Sequence, residues 1–293
     1  MRIYLLDVLG RKVSDVNTLI QMELQRAIPS TALDYLGSQG VTIKGRRVLD
    51  LGAGLGGLST ELAVRGAEVV AIEPGAMWRT ITAERLRESG AGTVVGAVGE
   101  HLPFRSGSFD VVISLQVLEH VLDPRAVIHE AFRILRPGGY LYLTCENYLA
   151  FREPHYGVFW LPLLPKRLGA VYLRLRGRSP EFLMNAVTYT TLPFVLRLLQ
   201  AAGFQSKRQE RISSLIESPE KIRTGWKRRW ITIALRITPA KVIFEAARLY
   251  DLFIRLFTFV IYELIQKPST TTVTPNTILA DLPESANLAR TAQ

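Results

Sequence analysis

The chain has 293 residues, 48% hydrophobic and 21% charged, a globular composition long enough to bury a sizeable core. Its one cysteine, Cys145, excludes an internal disulfide, so nothing in the residue content calls for an oxidising compartment and a cytoplasmic location is the expectation. The formal charge of +10 is uneven, since basic residues far outnumber acids from Lys166 to Lys267, and such a half can meet an anionic lipid or a phosphorylated molecule, or simply be a solvated surface.

The opening MRIYLLDVLGRK has too short an apolar run for a signal peptide and no small-residue cleavage site. Residues 14 to 39 read as a helical lead-in that Pro29 divides in two, forming an N-terminal segment over 1–44. From there short apolar runs with little polar alternation recur at Arg46 to Leu51, Glu68 to Ile72, Gly92 to Val95, Phe109 to Ser114 and Gly139 to Thr144. That is how strands buried on both faces read. Helical patterns lie between them around Gly57 to Arg65, Trp78 to Arg87 and Pro124 to Leu135. Five such units predict an α/β, doubly wound, Rossmann-like sheet over 45–218.

After Asn147 the rhythm breaks into an aromatic, proline-containing stretch, EPHYGVFWLPLLPKRLGAVYLRLRGR, expected as an insertion at about 148–187. Thr188 to Ala202 then reads as a helix stopped by Gly203, with a strand expected from Phe204 to Ile216. Residues 219–268 are expected to form an amphipathic, basic helical extension, because Lys241, Glu245, Arg248, Asp251, Arg255 and Glu263 gather on one side of a helical wheel. The tail over 269–293 is rich in Thr, Pro, Asn and Ala and is expected to be disordered.

The strongest local motif is VLDLGAGLGGLS, residues 48 to 59, an apolar run ending near Asp50 and followed by Gly52, Gly54, Gly56 and Gly57. Glycines there allow a sharp turn and a close backbone approach to a ligand. Glu73 follows at the end of the next expected strand, where a carboxylate can hold the two hydroxyls of a ribose. A nicotinamide-dependent oxidoreductase uses the same turn and the same acid and stays open at this point.

The segments EHLPFRSGSFDVVISLQVLEHVLDP (residues 100 to 124) and HEAFRILRPGGYLYLT (residues 129 to 144) closely resemble class I methyltransferases, above all the ubiquinone and menaquinone biosynthesis group. The resemblance implies a seven-stranded sheet with an antiparallel strand near one edge, and methyl transfer from S-adenosyl-L-methionine. It places Asp50 behind the glycine loop, Gly52, Ala53, Gly54 and Gly57 around the methionine moiety, and Glu73 with Pro74 at the ribose. Gly99 and Glu100 would border the adenine, where Val98 replaces the acid common in that group, and Leu115 and Gln116 would lie beneath the cofactor.

Transfer to a hydroxyl needs a base, and of the four histidines two are candidates: His120 in LEHV and His155 in EPHY. Glu119 beside His120 also raises a metal site, which the lack of further ligands in sequence disfavours, so none is expected. The expected function is O-methylation of a small-molecule, lipid-linked or glycan acceptor. Peripheral membrane contact through 221–267, aided by the basic WKRRW at 226 to 230, and a homodimer contact stay open, and nucleic acid is not expected. A membrane-associated scaffold that keeps the nucleotide fold without turnover is the alternative from another class.

Overall fold

The computed structural model describes residues 27–90, 92–206, 249, 253, 256–258 and 260–269. The expected helix before residue 27, the strand beyond 206, WKRRW and the tail from 270 lie outside them.

Helix α1 (Ala27–Ser38) opens the described chain, with Pro29 in its first turn, where a missing N–H costs nothing. Then come β1 (Arg47–Leu51), α2 (Gly57–Val64), β2 (Glu68–Ile72), α3 (Ala76–Glu88), β3 (Thr93–Val95), β4 (Phe109–Leu115), α4 (Pro124–Ile134) and β5 (Leu135–Glu146). Pro124 begins α4 behind an Asp123 cap whose side chain accepts from the N–H groups of Arg125 and Ala126, which explains where this helix starts. A two-stranded ribbon, β6 (Arg152–Glu153) and β7 (Val158–Phe159), and helices α5 (Lys166–Leu175) and α6 (Glu181–Asn185) form a cap. The chain closes with α7 (Leu192–Ala201), β8 (Gln205–Ser206) and β9 (Val260–Gln266).

The main sheet has seven strands in the order β3-β2-β1-β4-β5-β9-β8. β1 to β5 run parallel, while β9 pairs antiparallel with both β5 and β8. Successive strand residues enter opposite cores. Leu49, Ile72, Val112 and Leu141 pack under α4 and α7, whereas Val48, Val69, Val111 and Tyr142 pack under α1, α2 and α3. Both faces are covered, which is why the strands read as unbroken apolar runs. A third cluster, with Tyr148, Trp160, Leu173 and Leu183 at its centre, holds the cap together.

Two expectations are corrected. The fifth strand, expected from Gly139 to Thr144, begins at Leu135, with Arg136 to Gly139 as a bulge within it: Phe109 pairs with Leu135, and the register then shifts so that Val111 meets Tyr140. Gly138 takes φ +77 there, a conformation a side chain disfavours. The end of the expected C-terminal helix is also not helical, because Val260–Gln266 is a strand inserted beside β5 from Tyr140↔Gln266 to Glu146↔Val260. Its burial on both faces, with Ile261 and Ile265 in one core and Leu264 in the other, hides the period-two signal and favours the β-branched VIYELI sequence as strand. Lys267 then anchors the strand's end, its ammonium donating to the carbonyls of Phe132 and Leu135 at the close of α4.

The cap joins the sheet at one seam. Thr188 N–H donates to the Glu119 carbonyl at 2.6 Å, Thr190 Oγ1 donates to the Glu146 carbonyl, and Tyr148 N–H donates to the Thr190 carbonyl. Within this seam the Glu119 side chain is completely buried, with Oε1 accepting from Glu146 N–H at 3.3 Å. Burial pushes its pKa up from the ordinary 4.5 to about 7. A carboxyl whose folded pKa is raised stabilises the fold below its unfolded value and loses that contribution as pH rises through the folded one. Wild-type protein is therefore expected to lose stability, on the order of 3 kcal/mol at most, between pH 5 and pH 8, and Glu119→Gln to lose less. Urea unfolding of both at the two pH values checks this, and parallel losses would place the carboxyl elsewhere.

Candidate functional site at the carboxyl ends of the strands

The loop after β1 is built by its glycines and by two acids. Gly52, Gly54 and Gly56 adopt φ of +81, +52 and +76, so the chain reverses within five residues as few other residues allow. At Gly52 a Cβ would stand 2.5 Å from Cγ2 of Val117, so this strand end can approach the neighbouring loop only as glycine. Asp50, buried near the end of β1, accepts from Ser59 Oγ at 2.5 Å and pins the first turn of α2. Glu73, following β2, accepts from Gly54 N–H at 3.0 Å through Oε2 and from Gly75 N–H at 2.8 Å through Oε1. One carboxylate thus shapes two loops and stands on the wall of the cleft between them.

That cleft, of about 670 Å³, opens where β1, β2 and β4 end, the usual ligand crevice of an open α/β sheet. Among the expected residues, Gly52, Glu73, Pro74, Gly99, Glu100, Gln116 and His120 face it. Asp50, Ala53, Gly54, Gly57 and Leu115 are not among the residues that line it. Leu115 is the clear correction: strand alternation turns its side chain into the core under α1 to α3, leaving Gln116 to take the position expected of both. Gln116 adopts φ 56, and its N–H is held by the carbonyl of Thr144 at 2.9 Å and by its Oγ1 at 3.2 Å. Its Oε1 is buried and meets no hydrogen-bond partner among the described residues.

On the opposite wall Glu100 Oε1 accepts from the N–H groups of Leu122 and Asp123 at 2.9 and 3.4 Å, tying the loop after β3 to the start of α4. Val98 is partly exposed on the same wall.

The two candidate bases, 35 positions apart in the sequence, are neighbours in the fold. His120 ends a 3-10 turn over Leu118–His120 and borders the cleft, and its ring meets that of His155 edge-on at 5.1 Å between centroids. Phe182 of α6 packs against both, at 5.7 and 4.9 Å. His120 Nδ1 lies 2.9 Å from the Ala186 carbonyl. A carbonyl only accepts, so this nitrogen carries the proton and Nε2 keeps its lone pair. Burial of the ring lowers the His120 pKa, although part of the residue is open to solvent. His155 Nδ1 lies 3.0 Å from Glu153 Oε1. Burial works against its charge, but the hydrogen bond to Glu153 and the surrounding acids outweigh this and raise its pKa.

Glu153 and Phe182 were not singled out in the sequence. The visible signal for Glu153 is the triplet EPH, an acid two residues before a histidine. Of the remaining histidines, His101 lines the cleft and His129 is exposed on α4. Among the described residues no three His, Cys, Asp or Glu side chains are grouped so as to hold a metal ion.

Residues 49–143 match the methyltransferase domain family. The chain is 35% identical over 117 residues to the ubiquinone biosynthesis O-methyltransferase of Erwinia tasmaniensis, covering 39% of this chain and 48% of that protein. Against the enzyme of the same name from Azotobacter vinelandii it is 38% identical over 112 residues, with 36% and 47% covered. It thus spans about half the length of the curated relatives it matches. A putative sarcosine dimethylglycine methyltransferase from Galdieria sulphuraria superposes with a TM-score of 0.53 at 16% identity, over 88% of this chain and 89% of that one. A cyclase, SpnF, superposes with a TM-score of 0.50 at 23% identity, over 84% of each chain. At these identities the structures speak for the fold alone, and a cyclase among them shows that the fold serves more than one chemistry.

The cleft has the volume of an ordinary cofactor site, a ribose-type carboxylate in Glu73, and an unpartnered amide oxygen in Gln116, so the residues present fit a nucleoside-bearing cofactor. Residues 49–143 thus carry the likeness to a methyltransferase domain, on a fold shared with the superposed methyltransferase structure.

Proposed function

We propose that the protein methylates a hydroxyl of a small-molecule, lipid-linked or glycan acceptor, with His120 as the base. The observation that carries this reading is that Glu73 and His120 stand on the walls of one cleft. Bound S-adenosyl-L-methionine supplies a methyl group already activated by its sulfonium, so the protein's tasks are alignment, exclusion of water and removal of one proton. Glu73 would take the ribose hydroxyls, Gly52 and Gln116 would border the methionine end, and the wall from Val98 to Glu100 would flank the adenine. His120 Nε2 accepts the acceptor's hydroxyl proton as the oxygen forms its bond to the methyl carbon. A neutral imidazole in the correct tautomer is what this step needs.

For the partner of the second half, we favour an anionic membrane surface, in line with a lipid-linked acceptor. In support, Leu249 and Phe253 are 65% and 58% exposed, and Phe253 packs on Phe257, which stacks on the exposed Phe151. No helix among the described residues is long and apolar enough to cross a membrane, so the contact would be interfacial.

Three outcomes test this reading. Glu73→Ala should weaken S-adenosylhomocysteine binding at least about tenfold by calorimetry, since hydrogen bonds to a charged group contribute about 1.5–3 kcal/mol; unchanged affinity would mean the cofactor binds elsewhere. With an acceptor found by incubating metabolite extracts with methyl-labelled cofactor, His120→Ala should lower turnover by roughly 10² to 10⁴ and leave cofactor affinity nearly unchanged, whereas full activity would assign the base to another group. The full chain should float with anionic liposomes, less so as salt rises, and a Leu249→Ser, Phe253→Ser double variant should not. Truncation before residue 221 is not a usable control, because it deletes β9 from within the sheet.

A further inference from the structure

His155 is held by a fully buried acid, Glu153. Glu153 lies on the two-stranded ribbon and is 0% exposed. Its Oε1 accepts from Tyr148 Oη at 3.1 Å and faces His155 Nδ1 at 3.0 Å, and its Oε2 accepts from the Tyr156 N–H. Tyr148 is itself fixed, its ring stacked on that of Tyr189 at 4.3 Å between centroids. Taking a carboxylate out of water is costly, and well-packed apolar residues in such positions often give a more stable protein. A buried acid with three donors converging on it therefore points to a task other than stability.

We infer that Glu153 is a positioning residue for the acceptor side of the methyl-transfer site: it fixes His155 with Nδ1–H turned to the carboxylate and Nε2 on the opposite edge of the ring, in the histidine pair beside the cleft. The inference rests on the methyltransferase reading for its purpose and on the ribbon's geometry for its content. It extends a pattern in which two neighbouring groups are driven to opposite protonation states by their surroundings. His120 is crowded and bonded only to a carbonyl, which favours the neutral base. His155 faces Glu153, Glu119, Glu146, Tyr148 and His120 itself, an environment dominated by acids, which favours the charged form. The pair thereby offers an acceptor a proton acceptor and a proton donor side by side. In the transfer itself the hydroxyl proton passes to His120 Nε2, the oxygen bonds the methyl carbon, and the electrons of the broken bond stay with the departing sulfur. His155 keeps its proton throughout and orients the oxygen by donating to it.

The test is a histidine-resolved NMR titration of the whole chain, wild type and Glu153→Gln, with methyl transfer to the labelled acceptor measured on the same proteins. In wild type the neutral form of His155 should be the Nδ1–H tautomer and should protonate at higher pH than His120. Glu153→Gln, close in shape but uncharged, should lower the His155 midpoint by at least about one pH unit, a tenfold loss of proton affinity, and leave S-adenosylhomocysteine affinity within about twofold. It should also reduce methyl transfer at least tenfold, with Glu153→Asp recovering part of both effects. An Nε2–H tautomer in wild type overturns the inference even if the variant fails to fold. An unmoved midpoint, or full methyl transfer, in the folded variant overturns it as well. If wild-type protein methylates nothing, that failure belongs to the proposed function, and the tautomer and midpoint still decide the placement of His155.

Discussion

Where neighbouring parallel strands end together, each chain must leave the sheet within a residue or two, and every backbone group it exposes there needs a partner. The functional face is shaped by that requirement. After β1 the reversal is taken by glycines whose conformations a side chain would resist. After β2 it is held by Glu73, whose two oxygens each receive a backbone N–H. After β4 it falls on Gln116, a non-glycine residue in the left-handed region whose N–H is clamped by Thr144. Such a conformation costs of the order of 1–3 kcal/mol, and it sets Gln116 on the cleft wall with its amide oxygen buried and without a hydrogen-bond partner among the described residues.

The same requirement explains the cap. β5 ends at Glu146, and the chain must return across the sheet to reach α7. The seam of Thr188, Thr190 and Tyr148 supplies the bonds for that return, and it sets His155 and Phe182 over His120. The cap therefore brings residues remote in sequence from the glycine loop against His120, at the edge of the cleft.

The sheet was legible because its strands are buried on both faces and separated by helices whose starts carry local signals, such as Asp123 and Pro124. β9 was not, because its own Glu263 falls at helical spacing with the preceding Asp251 and Arg255 while its burial on both faces removes alternation. A strand arriving more than 50 residues after β8 is fixed by its pairing with β5, which no local window contains. Within the site, residues that act through the backbone near their own position were readable: Gly52, Glu73 and Gln116 all face the cleft or shape it. Leu115 and Gln116 were both expected at the cleft and only Gln116 lines it, because neighbouring residues of a strand face opposite sides. The meeting of His120 with His155, and the burial of Glu119 and Glu153 around them, depend on the cap's path and lay beyond any sequence window.

The acids around this pair also limit how the proposed chemistry can be arranged. Glu119 and Glu153 are completely buried and Glu146 is nearby, so three carboxyl groups share a region with one histidine drawn toward the charged state. Full ionisation of all three would leave an excess of negative charge in a poorly solvated seam, at a cost of several kcal/mol per ion. Proton retention on Glu119, whose pKa burial raises to about 7, relieves that excess. Of the two acids left, Glu153 is the one at hydrogen-bond distance from His155, while Glu146 acts on it through space. A charged imidazole matched to one carboxylate is fixed in orientation and nearly neutral as a unit, so it can donate a hydrogen bond to an incoming oxygen without attracting unrelated anions to the cleft. His120, outside that matched unit, keeps the lone pair that a base requires.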